Sequence, residues 1–244
     1  PTSITAFFAI VPKIAAIVLI FRFCLEPFGN FYKDWSQIII FLSIGSMFLG
    51  AIAAIAQNSL KRLLAYSSIG HVGYVLIALA AGNDDGIKAV AIYMLSYMIM
   101  NIAIFAILLS LKSKKKFVEN IDELSGLSKS NPIIGISIAV IMLSMAGIPP
   151  FIGFFAKFYI FIAALNNDLV MLAILGVLAS VISSYYYLRI IKVMYFDDLR
   201  TDSSFSFTIS IQSKIILILT IFLMTLFVFY PSFLINIASS LNFN

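Results

Sequence analysis

Long apolar runs separated by short polar stretches set the plan of this chain. The runs cover roughly 2–23, 36–56, 60–81, 89–111, 132–165, 169–195 and 214–238. A membrane-spanning helix needs about 20 apolar residues. The pattern therefore predicts an all-α membrane protein with seven transmembrane helices, organised over 1–244 as a single transmembrane domain. The fifth run is too long for one straight crossing, and its interruption is visible as Gly147, Pro149, Pro150 and Gly153 in close succession. Proline removes a backbone donor and clashes with the preceding turn, so a helix near 147–150 must break. In lipid, a broken helix survives only where it is buried in protein or lines a wet cavity. Residues 197–206 form the most polar stretch and read as a surface loop, and no internal repeat is evident.

Composition agrees with the pattern: 62% of the 244 residues are hydrophobic and only 11% charged. A soluble domain carries about 25% charged residues. The net charge of +5 points to no nucleic-acid partner, because the basic residues sit between apolar spans. Cys24 is the only cysteine, which excludes an intrachain disulfide and shows no metal-ligand spacing. Neither a signal nor a transit peptide is expected, since Pro1 leads directly into an apolar run.

Seven spans sort the loops by side. One face carries Lys61, Arg62, Lys112, Lys114, Lys115, Lys116, Lys129, Arg189, Lys192, Arg200 and Lys214; the other carries Arg22, Lys33 and Lys88. Eleven basic residues against three place the N-terminus and the 112–116 loop on the cytoplasmic or matrix side. The 112–116 cluster reads as a topology signal in contact with anionic lipid, or as a docking patch.

Two lysines, Lys13 and Lys157, fall inside spans, together with the sole histidine, His71. All eleven acidic residues lie in loops or at span ends, so these groups have no internal counter-ion in sequence. An ionisable residue inside a membrane segment is costly and points to function. Burial disfavours the charged form of an amine, which suits proton exchange. Lys13, midway along the first span, is either a proton relay or a charge fixed by a carboxylate on another chain. Lys157 follows the broken helix, which supplies the polar backbone such a site needs. The residues together suggest movement of protons, or another small cation, by buried lysines.

Polar stripes accompany these groups. Ser67, His71 and Tyr74 lie on one helical face by their i, i+4, i+7 spacing. Tyr93, Ser96, Tyr97 and Asn101 share a face of the fourth span, and Ser180, Ser183, Ser184 and Tyr187 share one of the sixth. With Tyr66 and Ser144 they fit a hydrated axis in a bundle, although such residues also serve as packing glue between membrane helices. His71 is either a relay or a hydrogen-bonded core histidine. Phosphate loops, dinucleotide fingerprints and Cys or His clusters for haem or iron–sulfur groups are missing. Redox chemistry therefore has to come from a partner.

Two motifs carry a family resemblance. Asn58-Ser-Leu-Lys61-Arg62-Leu-Leu-Ala-Tyr66-Ser67-Ser68-Ile-Gly-His71-Val-Gly73-Tyr74 resembles a signature of the antiporter-like membrane subunits of respiratory complex I. Gly147-Ile-Pro149-Pro150-Phe-Ile-Gly153-Phe-Phe-Ala-Lys157-Phe-Tyr159 is similar to the broken twelfth helix of that family. Together with Pro12-Lys13 and Ser183-Ser184-Tyr185-Tyr186-Tyr187-Leu188-Arg189, they most resemble the family of NADH–quinone oxidoreductase subunit N, subunit 2 in mitochondria, over essentially the whole chain.

The resemblance implies a fourteen-helix fold with two inverted five-helix repeats, of which this chain would be helices 8–14. Lys13 would be the helix-eight lysine of a central hydrophilic axis, Lys157 the helix-twelve lysine near an outward half-channel, and His71 a bridge between them. The family's first half, with its helix-five glutamate and helix-seven lysine, is not in this sequence. A split or truncated subunit is therefore expected, its N-terminal half on a separate chain; a start at Pro1 is what removal of an initiator methionine leaves. The implied function is proton translocation coupled to NADH:quinone electron transfer, in a non-redox subunit of NADH:ubiquinone oxidoreductase. This chain would bind no cofactor or metal; FMN, iron–sulfur clusters and ubiquinone would be held elsewhere in the complex. Expected partners are the other membrane-arm subunits and lipids, including cardiolipin. Abundant Ile, Phe, Asn and Lys suit an AT-rich genome and a mitochondrial inner membrane, with a bacterial cytoplasmic membrane as the alternative. Competing readings are a subunit of a multisubunit Na+/H+ antiporter or membrane-bound hydrogenase, and a structural scaffold without transport.

Overall fold

The computed structural model describes residues 2–113, 116–198, 205–207 and 211–229. Five helices there are long and apolar enough to cross a membrane. They are α1 (Thr2–Leu25), α2 (Tyr32–Ile55), α3 (Leu60–Ala81), α4 (Asp84–Ser110) and α8 (Val170–Phe196). Three shorter apolar helices, α6 (Pro132–Ala146), α7 (Ile152–Leu165) and α9 (Ile211–Phe229), complete the bundle. A single turn, α5 (Leu127–Ser130), precedes α6. The seventh run thus begins its helix at Ile211, and 230–238 lie outside the described residues.

Several helices start before their apolar runs, because polar residues that suit a first turn extend them. Helix α2 begins at Tyr32 with Asp34 in its first turn, and α4 at Asp84 with Asp84 and Asp85. Carboxylates there complement the positive end of the helix dipole. The Asn83 side chain caps α4 by accepting the Gly86 N–H at 2.7 Å.

The chain departs from all-α at one end of the bundle. Leu111–Ser113 (β1), Lys116–Phe117 (β2) and Phe205–Phe207 (β3) form a small antiparallel sheet in the order β2-β1-β3. Apolar spacing gave no hint of it, since such short strands are specified by their partners. The expected loop at 197–206 therefore ends in a strand; Lys114, Lys115, Arg200 and Asp202 lie outside the described residues.

Ties at both ends hold the bundle. At the first, Arg189 on α8 donates to Asn58 Oδ1 at 2.9 Å and to the Gln57 and Ile55 carbonyls at 3.3 and 3.4 Å. Lys61 pairs with Glu119 at 3.0 Å beside a Leu60 N–H to Glu119 O bond of 2.9 Å. At the other, Tyr32 donates to Ala80 O at 2.7 Å and accepts from Asn167 at 2.8 Å.

Between these ends lie two apolar cores. One contains Met145, Ile152, Tyr186 and Tyr187. The second contains Tyr74, Tyr93, Tyr97 and Ala156. Helices α2 and α3 make the most extensive interface. Gly73 allows this closeness, since a Cβ there would sit 2.8 Å from Met47 N. Small residues serve this purpose between membrane helices.

Candidate functional site

Where the two cores meet, the buried polar groups converge. The fifth apolar run breaks as its prolines predict: α6 ends at Ala146 and α7 starts at Ile152. Gly147 caps α6 in the left-handed region, at φ 85°, a conformation glycine adopts at little cost. The break leaves α6 with carbonyls that have no partner in their own helix. Lys157 uses one of them. Its Nζ donates to Ala146 O at 2.9 Å and to Ser180 Oγ at 2.8 Å, and lies 4.8 Å from the centre of the Tyr74 ring. The side chain is buried, with 5% of its surface exposed.

Ser144 holds the break closed. Its Oγ accepts the Gly153 N–H at 3.2 Å and donates to Met100 Sδ at 3.2 Å. A Cβ on Gly153 would overlap the Ser144 carbonyl oxygen. Gly147, Pro149, Pro150 and Gly153 thus shape the break, and Ser144 joins its two sides.

His71 is buried on α3 and bonded through both ring nitrogens, Nδ1 to Tyr93 OH at 2.6 Å and Nε2 to Tyr187 OH at 3.1 Å. Tyr187 donates onward to Ser67 Oγ at 3.0 Å. The Tyr74 hydroxyl lies 3.5 Å from Ser183 Oγ. A cavity of about 10 Å³ separates His71 from Lys157, lined by Ser67, Tyr74, Ser183 and Tyr187 among others. That is close to the space one water molecule needs.

Lys13 is only partly buried, on the least buried of the five long helices. Its Nζ nevertheless points inward and donates to Ser68 Oγ. Among the described residues, neither Lys13 nor Lys157 has a carboxylate partner. The ion pairs seen among the described residues, Arg22–Glu26, Lys61–Glu119, Lys129–Asp198 and Lys192–Asp197, lie at the bundle's ends.

Some expected members of the polar axis stand apart from it. Ser184 bonds back to Val181 O at 2.7 Å on an exposed side of α8. Ser96 and Asn101 are buried but satisfy their own helix, through Ile92 O and Tyr97 O. Tyr66 packs against the first apolar core. A hundred-degree helical step places Ser183 and Ser184 on different faces, which the shared-stripe reading overlooked. The stripes did include Ser180, Tyr93 and Tyr187. Ser68, the partner of Lys13, lay outside them, and its spacing of i, i+3 to His71 was the available signal.

A family model described as NADH:quinone oxidoreductase/Mrp antiporter, transmembrane, matches residues 1–183. The chain belongs to that family. It is 50% identical over 242 residues to the NADH-quinone oxidoreductase subunit N of Pelagibacter ubique, covering 99% of this chain and 51% of that protein. With subunit N of Rhodospirillum rubrum the identity is 48% over 237 residues, covering 97% and 48%. The chain thus spans about half the length of the curated relatives it matches. A chain of respiratory complex I from Thermus thermophilus superposes with a TM-score of 0.71 at 28% identity, covering 82% of this chain and 45% of that one. A chain of the Mrp complex from Dietzia gives 0.73 at 26%, covering 82% and 37%. The archaeal membrane-bound sulfane sulfur reductase gives 0.81 at 25%, covering 98% and 48%.

Proposed function

We propose that this chain forms helices 8–14 of an antiporter-like subunit in the membrane arm of respiratory complex I, and there conducts protons. Seven crossings follow if α6 and α7 together make one broken span and α9 makes the last. The complementary half of the fold, on a second chain or the same one, would pack against the exposed face of α1 and bring the carboxylate that balances Lys13. Quinone reduction on other subunits, which hold the FMN, iron–sulfur clusters and ubiquinone, would change charge along the arm. Lys13, His71 and Lys157 would then pass a proton across.

The observation that carries this reading is Lys157, an amine sealed between the two cores and held only by neutral oxygens and a tyrosine ring. No packing need explains an amine there, whereas proton exchange does. This argues against a scaffold without transport. Mrp-type antiport remains the second reading, because the Dietzia complex has a similar fold. The 50% identity to a subunit N favours complex I. The curated relatives named above are bacterial, which favours a bacterial cytoplasmic membrane over the mitochondrial inner membrane. The N-terminus and the 112–116 segment would face the cytoplasm, with anionic lipids, cardiolipin included, around the basic end.

The test is to purify the native assembly through this chain and reconstitute it in vesicles. Flavin and iron–sulfur subunits should co-purify, and NADH oxidation should drive proton movement that is lost when Lys13 and Lys157 are both changed to Met. A redox-free assembly that exchanges Na+ for H+ would favour the antiporter, and undiminished pumping would overturn the proposal.

A further inference from the structure

The hydrogen bonds around His71 have a direction. A phenol carries one proton, and that of Tyr187 is directed to Ser67 Oγ. The Tyr187 oxygen can then only accept from the imidazole, so Nε2 carries hydrogen. A neutral imidazole has one donor and one acceptor nitrogen. Nδ1 is therefore the bare one, and it accepts from Tyr93 OH. All donors point the same way: Tyr93 to His71, His71 to Tyr187, Tyr187 to Ser67. Each of these side chains is buried, so little water competes for the bonds.

From this we infer that Tyr93 and Tyr187 are relay residues in their own right, and that with His71 they form a wire that carries one proton per setting and must then be reset. The inference rests on the proton-conducting reading above. A proton arriving at the Tyr93 oxygen releases that phenol's own proton to Nδ1. The imidazolium loses its Nε2 proton to the Tyr187 oxygen, whose original proton passes to Ser67. One proton enters at Tyr93 and one leaves at Ser67, with no net charge left behind. His71 is now the opposite tautomer and every donor is reversed. A second proton cannot follow until the phenols rotate and the imidazole exchanges its protons back. The exit, Ser67, neighbours Ser68, the acceptor for Lys13. Lys157, 4.8 Å above the centre of the Tyr74 ring, shares the small cavity with Ser67 and Tyr187 at the same exit end. The exit of the wire therefore adjoins the sites of both lysines, and its reset step separates successive protons.

The test uses the intact complex in vesicles. Tyr93→Phe and Tyr187→Phe remove one oxygen each and should lower proton-coupled turnover at least about tenfold, with unchanged apparent affinity for quinone. Ring-fluorinated tyrosine at position 93 or 187 keeps the shape and the hydroxyl but makes the phenol a stronger acid. It should change turnover and its solvent deuterium effect severalfold, which a merely structural hydrogen bond would not do. The same fluorinated residue at position 32, where the phenol ties the last turn of α3 to Asn167 beyond α7, should leave turnover unchanged. If the Phe variants do not assemble, the fluorinated forms decide. Wild-type turnover and isotope effect with fluorotyrosine at both 93 and 187, in a complex that Lys157→Met inactivates, would overturn the wire and leave the proposed function standing. Normal pumping by Lys157→Met would overturn both.

Discussion

Lys157 donates to the carbonyl of Ala146, the residue at which α6 stops. The break in the helix and the placement of the amine are therefore one feature: the interrupted backbone provides an acceptor that a continuous helix would have used itself.

Gly147 is where this arrangement is most easily damaged. Its φ of 85° suits glycine, and a Cβ would sit 2.9 Å from Lys157 Cδ. Gly147→Ala is expected to destabilise the protein by about 1 kcal/mol or more and to displace the ammonium. Thermal unfolding in detergent should fall, and proton pumping should fall further than stability alone accounts for.

Ser144 separates structure from transport. Ser144→Ala leaves the buried Gly153 N–H without its acceptor, a loss of about 1–3 kcal/mol. Because the Ser144 hydroxyl bonds Met100 and Gly153 while Lys157 bonds Ala146 and Ser180, the lower stability should appear with protons moved per electron unchanged in whatever complex assembles.

Ser68 is the inward partner of Lys13. Ser68→Ala should leave assembly intact and slow proton-coupled turnover, while Ser68→Thr, which keeps the hydroxyl, should restore most of it. Equal rates in both variants would show that the hydroxyl has no part in transfer.

Arg189 joins α8 to the α2–α3 connection through three acceptors. Replacement by Met should cost about 1–3 kcal/mol and expose that connection to proteolysis, without changing protons moved per electron.

Much of this molecule was legible in its sequence, and for identifiable reasons. Apolar run length located the long helices, and two prolines between two glycines located the break, because both signals are local. The burial of Lys157 followed from the absence of any charge between Asn131 and Ala156. Its actual partners, Ala146 O and Ser180, depend on how α6, α7 and α8 meet in space. The same is true of Ser68. The stripe on α8 was legible in part: Ser180, Ser183 and Tyr187 turn inward, but Ser184 does not. The small sheet was invisible because its outer strand β3 takes its identity from pairing across 95 residues of intervening chain, Leu111 with Phe207.

Protons moved per NADH oxidised, compared between the native complex and Lys157→Met in sealed vesicles, test the central claim most directly. Methionine keeps the volume and apolar stem but cannot hold a proton, so electron transfer should persist in uncoupled membranes while pumping falls. A variant that pumps at the native rate and ratio would contradict the assignment of Lys157 as a proton-carrying group.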